Sequence, residues 1–189
     1  MAEQVNNQNT SPVAPAKKMM QQRPHQRRRP KSRFGTQMQE KQALKDAYGI
    51  REQQLKRYYQ EAQKSDEATG TVMVVLLERR LDNAVFRAGW APTRKAARQL
   101  ASHKLLQVNG RTVSVPSIRL RSGDVVSVKE GKKEKGVFEN FEMKTQNART
   151  PAWIALEESA YSFKVVGNPT AEDAQLGVDI RAVVEYYAR

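Results

Sequence analysis

The sequence predicts an α+β protein in which helices form both ends of the ordered chain and short strands follow a helix pair in its middle. Apolar residues recur at helical spacing between residues 36 and 101 and again near the C-terminus. Between residues 105 and 166 they alternate at strand spacing, and an Asn109-Gly110 pair separates two such segments. Residues 1–32 contain few large apolar side chains, so we predict a basic N-terminal arm that is disordered or extended.

The composition favours a polyanionic partner. The 189 residues include 33 Lys and Arg against 20 Asp and Glu, which gives a formal net charge of +13. Residues 1–64 hold 14 basic and 5 acidic side chains, whereas residues 131–189 hold 8 and 9. The partner is therefore expected to meet the first two thirds of the chain, and nucleic acid is favoured over an anionic membrane.

What the sequence lacks excludes other classes of protein. It has no cysteine, which excludes disulfides, thiolate catalysis and cysteine-ligated zinc, and we expect no metal and no cofactor. The apolar run 72–77 is far shorter than the roughly 18 residues of a membrane span. The N-terminus also lacks an apolar signal core, so we expect a cytoplasmic protein.

Two helices are predicted directly after the arm. Thr36 and Gln39 have the spacing of a capping box, so the first helix is expected over residues 36–48, with Gly49 as its stop. The second is expected over residues 51–63, where apolar residues again recur at helical spacing.

The next two helices are predicted to present a basic surface. The third is expected over residues 72–88. Pro92-Thr93 is expected to open the fourth, which lies in the stretch "TRKAARQLASHK". Helical spacing places Arg94, Lys95 and Arg98 on one face of the fourth helix, with alanines and a leucine opposite. The third helix segregates its arginines in the same way, and the short connection "GWAPT" favours antiparallel packing that joins the two basic faces.

Two features favour RNA over a merely solvated charged face. The fourth helix has no acidic residue spaced to neutralise its arginines. Arginine also outnumbers lysine here, and a guanidinium binds phosphate through two parallel hydrogen bonds. Because folded RNA is recognised by its shape and phosphate positions, a rigid helix pair beside a hairpin suits such a partner.

We therefore predict two groups of phosphate-binding side chains. The group on the helix pair comprises Arg79, Arg80, Arg87, Arg94, Lys95 and Arg98. The group on the first two helices comprises Arg33, Lys41, Lys45, Arg51, Lys56 and Arg57. Tyr48, Tyr58 and Tyr59 are candidates for stacking on bases, with core packing as the alternative for at least one of them.

Strands are predicted in the rest of the chain. The segments "LLQV" and "RTVSV" flank Asn109-Gly110, the residues preferred in a type I′ turn because both positions need positive φ. Further strands are expected in "GDVVSVKE", "PAWIALE" and "AYSFKVV", and "GKKEKG" is expected to be a charged loop. In the last segment, Ile180, Val183 and Val184 are spaced as in an amphipathic helix.

Residues 78–130 closely resemble the RNA-binding module named after ribosomal protein S4. The resemblance is carried by Arg80-Leu81-Asp82-Asn83, Arg87-Ala88-Gly89, Thr93-Arg94, Ala97-Arg98-Gln99-Leu100, Ser102-His103, Val108-Asn109-Gly110, Pro116-Ser117 and Gly123-Asp124. The flanking segments "FGTQMQEKQALKDAYGIREQQLKRYY", "PAWIALE" and "VVEYYAR" resemble the bacterial S4 ribosomal proteins. The resemblance covers about residues 33–189.

This resemblance implies a helical domain of residues 33–77 and 168–189 with an S4-type domain, residues 78–167, inserted into it. In the core module, residues 78–130, an antiparallel helix pair packs on a small, mostly antiparallel β-sheet. The implied function is that of a structural constituent of the small ribosomal subunit in the cytoplasm, which binds small-subunit ribosomal RNA early in assembly and contributes to translational accuracy. The implied partners are that RNA, neighbouring small-subunit proteins, and messenger RNA where it enters the subunit.

An enzyme and a free-standing RNA-binding factor are the alternatives. Pseudouridine synthases carry this module and use an aspartate in an Arg-Leu-Asp context like that of Asp82, but the 59 residues after Glu130 are too few for their catalytic domain. We therefore expect Asp82 to order a neighbouring arginine or a helix end. His25 and His103 match no catalytic motif. The basic helices leave no bulky apolar face for lipid, which disfavours a membrane-surface role.

Overall fold

The computed structural model describes residues 32–134, 136–139, 141–146, 148–157, 159–174 and 177–189. The predicted arm, apart from Ser32, lies outside the described residues, as does His25. Seven α-helices are found within the described ranges: α1 Arg33–Tyr48, α2 Glu52–Ala62, α3 Thr69–Glu78, α4 Leu81–Arg87, α5 Arg94–Ser102, α6 Phe141–Gln146 and α7 Ile180–Tyr187.

Five short strands among the described residues form one antiparallel sheet, which confirms the predicted α+β class. The strands are β1 Leu106–Val108, β2 Arg111–Thr112, β3 Val125–Val128, β4 Ile154–Leu156 and β5 Ser162–Val165, in the order β2-β1-β3-β5-β4. The predicted hairpin is present, with Val108 opposite Arg111. Asn109 and Gly110 have φ of 50° and 76°, as a type I′ turn requires. The Asn109 amide also bonds Asp124 and the backbone of Val125, which ties the turn to β3.

The buried apolar side chains of the described residues form two clusters. The helical cluster joins α1, α2, α3 and α7 through residues that include Leu44, Leu55, Met73, Leu77 and Val183. The α/β cluster joins α4, α5 and the sheet through residues that include Leu81, Val85, Leu100, Val126 and Phe163. Leu77 belongs to the helical cluster and Leu81 to the α/β cluster, so the change lies close to the expected domain boundary at residue 78. The full division into two domains stays a prediction.

The first helix begins one turn earlier than predicted. Its N-cap is Ser32, whose hydroxyl accepts a hydrogen bond from the Gly35 amide at 3.2 Å. The Thr36 hydroxyl instead donates to the Ser32 carbonyl. A serine oxygen at position 32 thus caps the helix before the Thr36 signal is reached. The predicted end is confirmed, because Gly49 adopts φ 59° directly after Tyr48.

The prediction of one continuous third helix over residues 72–88 was wrong. The chain forms α3 and α4, and between them Arg80 is extended with φ −66° and ψ 140°. Here the backbone pairs with residues 116–120: the amide of Leu81 donates to Ile118 at 2.7 Å, and the amide of Leu120 donates to Arg79 at 2.8 Å. This pairing replaces helical hydrogen bonds at the break.

The predicted charged loop, residues 131–136, overlaps a turn of 3-10 helix and leads into structure that was not predicted. Two 3-10 turns, Glu130–Lys132 and Gly136–Phe138, precede α6. Phe138 and Phe141 are buried in the α/β cluster, and the ring of Phe141 meets that of Trp90 edge to face at 5.5 Å. Lysine and glutamate residues around these two phenylalanines hide the apolar pattern of a buried segment in the sequence.

Glu52 holds three helices of the helical cluster together. Its carboxylate accepts hydrogen bonds from Lys41 at 3.0 Å and from the Tyr187 hydroxyl at 2.6 Å, and it lies 3.2 Å from the Lys45 ammonium. These groups come from α1 and α7. Burial alone raises the pKa of Glu52, but the hydrogen bonds from Tyr187, Lys41 and Lys45 outweigh it and leave the pKa below its ordinary value.

We predict that Glu52 contributes stability that is lost in acid. Because its folded-state pKa lies below the ordinary value of 4.5, the contribution is complete above pH 4.5 and disappears as the pH falls through the folded-state pKa. Glu52→Gln should lower the free energy of unfolding at pH 7 by about 1 kcal/mol, and by less at pH 3. Urea titrations at both pH values measure this. The exposed control Glu67→Gln should follow the wild type, and a Glu52→Gln deficit that is equal at both pH values contradicts the assignment.

Candidate RNA-binding surface

Two buried carboxylates lie between the predicted basic faces. Glu78 is the last residue of α3 and is fully buried, and Asp82 lies in the first turn of α4 with 2% of its surface exposed. Buried carboxylates persist only when opposite charges and hydrogen bonds compensate their lost hydration. Their partners therefore determine how the arginines around them are arranged.

Glu78 binds three side chains, one from α1 and two from α4. Its oxygens accept hydrogen bonds from the Tyr48 hydroxyl at 2.6 Å, the Asn83 amide at 2.9 Å and the Arg87 Nε at 2.9 Å. Burial, reinforced by the Glu78 charge, raises the pKa of Tyr48 well above its usual value, so its hydroxyl stays protonated and donates. This carboxylate thus joins the end of α1 to α3 and α4.

Asp82 binds two guanidinium groups. Arg80 donates to both carboxylate oxygens, at 3.0 and 2.7 Å, and Arg98 of α5 donates through Nε and Nη2 at 3.0 and 2.8 Å. The Asn83 backbone amide donates to the same group at 2.9 Å. The prediction that Asp82 orders a neighbouring arginine is therefore confirmed.

Arg98 also fixes α5 to the end of α1. Its Nη1 and Nη2 donate to the carbonyl oxygens of Gly49 and Tyr48. The last carbonyls of a helix carry partial negative charge, which favours a cation there. One side chain thus connects α5, α4 and α1, and so spans the two hydrophobic clusters.

Arg94 is held by contacts of a different kind. Its Nε donates to the Asn83 side-chain oxygen at 2.7 Å, and its guanidinium lies 4.8 Å from the Tyr48 ring centre and 4.6 Å from that of Phe86. Such stacking on aromatic faces attracts a cation. Burial lowers the pKa of this guanidinium.

The expectation that the charges of the fourth helix stay unneutralised was wrong for Arg94 and Arg98, which lie near Glu78 and Asp82. The acids come from neighbouring segments, so spacing within the fourth helix does not reveal them. The Arg80 side chain is 3% exposed and bound on both sides, which leaves it no face for an external phosphate. The Arg87, Arg94 and Arg98 side chains retain 16, 21 and 33% exposure. Arg79 is half-buried and donates to the Leu120 carbonyl, while Lys95 is exposed.

The group predicted on the first two helices also contains both cations paired with acids and exposed cations without an ion pair to a described residue. Lys41 is buried against Glu52, Lys45 is half-buried beside the same carboxylate, and exposed Arg33 pairs with Glu185 at 2.8 Å. Four cations from the two groups are exposed and make no ion pair with another described residue. They are Arg51, Lys56 and Arg57 around α2, and Lys95 on α5.

The three candidate tyrosines belong to the interior. Tyr48, Tyr58 and Tyr59 are all buried in the helical cluster. Their hydroxyls bond to Glu78, Arg80 and Gln63, respectively. The core-packing alternative is confirmed, and these rings are not available to bases.

Sequence reasoning missed three residues of this region. Glu78 and Asn83 organise the arginines, and Arg119 pairs with Glu61 of α2 while lying 5.3 Å from the Tyr58 ring centre. A signal for Glu78 was present, because it ends the apolar run "VMVVLLE" at a position expected to face the core. Nothing local marks Arg119, whose partner lies 58 residues away.

We predict that Asp82→Asn severely destabilises the protein. The substitution leaves Arg80 buried without its counterion, which typically costs about 3–5 kcal/mol. Urea unfolding followed by circular dichroism measures the loss. The exposed control Asp66→Asn should unfold like the wild type. A loss below about 1 kcal/mol contradicts the assigned role of the pair.

Comparison with known proteins places these features in a family. Residues 79–126 match the S4 domain, and residues 2–78 match the Ribosomal protein S4/S9 N-terminal domain. The second match extends to residue 2, well before the start of the resemblance noted at residue 33.

None of the described helices combines the length and apolar character needed to cross a membrane.

Similar proteins align over most of the chain. Small ribosomal subunit protein uS4 of Methylobacillus flagellatus is 46% identical over 161 residues, which cover 85% of this chain and 78% of the relative. Protein uS4B of Nitrosomonas europaea is 45% identical over the same shares, and uS4 of Fusobacterium nucleatum is 40% identical over 88% of this chain and 84% of its own. With both domains matched and identity this high over both lengths, the chain belongs to the uS4 family of small ribosomal subunit proteins.

Proposed function

We propose that this protein is a structural constituent of the small ribosomal subunit and binds small-subunit ribosomal RNA. The observation that carries the proposal is its membership of the uS4 family over most of its length. The relatives are named as small-subunit proteins, and the geometry suits such a role. A basic chain with a net charge of +13 meets the requirement of a polyanionic partner.

The surface proposed to meet RNA combines fixed arginines with free cations. Arg87, Arg94 and Arg98 are held by Glu78, Asn83 and Asp82 while parts of their side chains stay exposed. Each guanidinium has five N–H groups, so a carboxylate on one side leaves donors for a phosphate on the other. The remaining donors are exposed and make no ion pair with a described residue; they are Arg51, Lys56, Arg57 and Lys95.

A fixed arrangement suits RNA that is read by shape. Arg98 ties α5 to the end of α1, so cations from the helical cluster and the α/β cluster keep a defined spacing. Pre-organised donors lose little side-chain entropy on binding. The proposed two-domain division, with residues 33–77 and 168–189 around an inserted 78–167, fits the two clusters and places cations on both.

The finer parts of the proposal rest on the family resemblance. They are binding early in subunit assembly, a contribution to translational accuracy, proximity to messenger RNA where it enters, contacts with neighbouring small-subunit proteins, and a cytoplasmic location. We further propose that the protein is not an enzyme. The engagement of Asp82 by two arginines and a backbone amide supports this, because a catalytic carboxylate needs access to its substrate.

We predict a steep salt dependence of binding to small-subunit ribosomal RNA. Each phosphate neutralised releases counterions, so the logarithm of affinity falls linearly with the logarithm of salt concentration. Filter binding at several salt concentrations measures the slope. A slope near zero contradicts RNA binding through these cations.

We predict that Lys56→Gln combined with Lys95→Gln weakens RNA binding without harming the fold. Both side chains are exposed and unpaired with described residues, and each lost phosphate contact should reduce the salt slope by about one. The control is Arg181→Gln on α7, an exposed cation outside both predicted groups. Arg98→Glu is a poor test, because the new carboxylate faces Asp82 and disturbs folding. An unchanged slope in the double variant counts against the assigned surface.

A further inference from the structure

A small polar cleft lies where the helical cluster meets the 116–120 segment. Its volume is about 210 Å³. Its lining combines α2, the break between α3 and α4, and the turn that pairs with that break. The residues are Gln54, Arg57, Tyr58, Arg80, Ser117 and Arg119.

Two arginines of the cleft are held in place. Arg80 is buried and bound by Asp82, and its Nη1 donates to the Tyr58 hydroxyl at 2.9 Å. Arg119 pairs with the Glu61 carboxylate and stacks on the Tyr58 ring. The backbones of Arg80 and Arg119 also form an isolated β-bridge. These contacts create a positive wall whose geometry does not depend on a ligand.

Other donors at the cleft have no described partner. The Arg57 guanidinium is exposed and makes no ion pair, and no described residue bonds the Ser117 hydroxyl. Gln54 uses its oxygen to accept from the Arg51 amide, so its side-chain NH₂ is left as a donor. Donors without acceptors around a cationic wall indicate an anionic ligand.

The cleft carries an excess of positive charge. Glu61 compensates Arg119, whereas Asp82 is shared between Arg80 and Arg98, and no described acid pairs with Arg57. A backbone phosphodiester carries one negative charge and accepts several hydrogen bonds. Its two unesterified oxygens can accept from a guanidinium, a hydroxyl and an amide that converge from different segments.

We propose that this cleft binds one phosphate of the RNA backbone. Arg57 donates through its guanidinium, Ser117 through its hydroxyl and Gln54 through its amide, while Arg119 and the buried Arg80 form the fixed wall behind these donors. The inference rests on the proposed RNA-binding function and names one of its contact points. A phosphate held here connects α2 with the segment paired to Arg80, and so bridges the two hydrophobic clusters.

The test uses the full chain with Arg57→Gln and Ser117→Ala combined. Arg57 is exposed and Ser117→Ala keeps the backbone, so circular dichroism should match the wild type. The matched control is Lys64→Gln, which removes one exposed positive charge just beyond α2. Against small-subunit ribosomal RNA, the double variant should lose affinity about tenfold and its salt slope should fall by about one, while the control loses neither. A slope equal to that of the wild type overturns the proposal.

Inorganic phosphate provides the second arm. At matched ionic strength, phosphate should raise the Tm of the wild type and the control above the value in chloride, and this rise should vanish in the double variant. If the double variant loses the rise in Tm but keeps the wild-type salt slope for RNA, the cleft is a site for free phosphate, and this overturns the RNA assignment. An equal rise in the double variant places the ion elsewhere and overturns the cleft. Absence of any RNA binding by the wild type refutes the proposed function instead, and the phosphate arm then decides the cleft alone.

Discussion

Two buried carboxylates set the arrangement of this molecule. Glu78 and Asp82 lie four residues apart across the break between α3 and α4, and neither reaches solvent. A buried carboxylate without a counterion costs several kcal/mol, so the surrounding chain must deliver cations to both. Arg87 of α4 brings a cation to Glu78 and Arg98 of α5 brings one to Asp82, while Tyr48 of α1 adds a neutral hydrogen bond to Glu78. Charge compensation in the interior thereby determines which arginines lie at the surface and how far each protrudes.

The helix break serves the same arrangement. If residues 72–88 formed one continuous helix, the backbone near Arg80 could not pair with residues 116–120, and Arg80 would not turn toward Asp82 and Tyr58. The break therefore brings the sheet-side segment against α2. It also positions Arg119 beside Glu61. The break between α3 and α4 is therefore a point of contact between the two hydrophobic clusters.

Local patterns predicted local features well. Asn109-Gly110 indicated a turn that needs two positive φ angles, and Gly49 indicated a left-handed helix end. The same patterns failed where distant segments decide the outcome. Hydrophobic spacing did not reveal the break at Arg80, because its cause is hydrogen bonding to residues almost forty positions later. Charge spacing within one helix likewise identified the basic residues while missing the acids from other helices that bind them.

The return of α7 has a consequence for synthesis. The α/β cluster is built from one continuous stretch, from Leu81 to Val165, whereas the helical cluster needs Val183 near the C-terminus to pack against helices formed by the first described residues. Since a chain emerges from its N-terminal end and domains generally fold as units, the continuous stretch can finish while α1 to α3 still wait for their last partner. The helical cluster can thus be completed only after α7 has been synthesised.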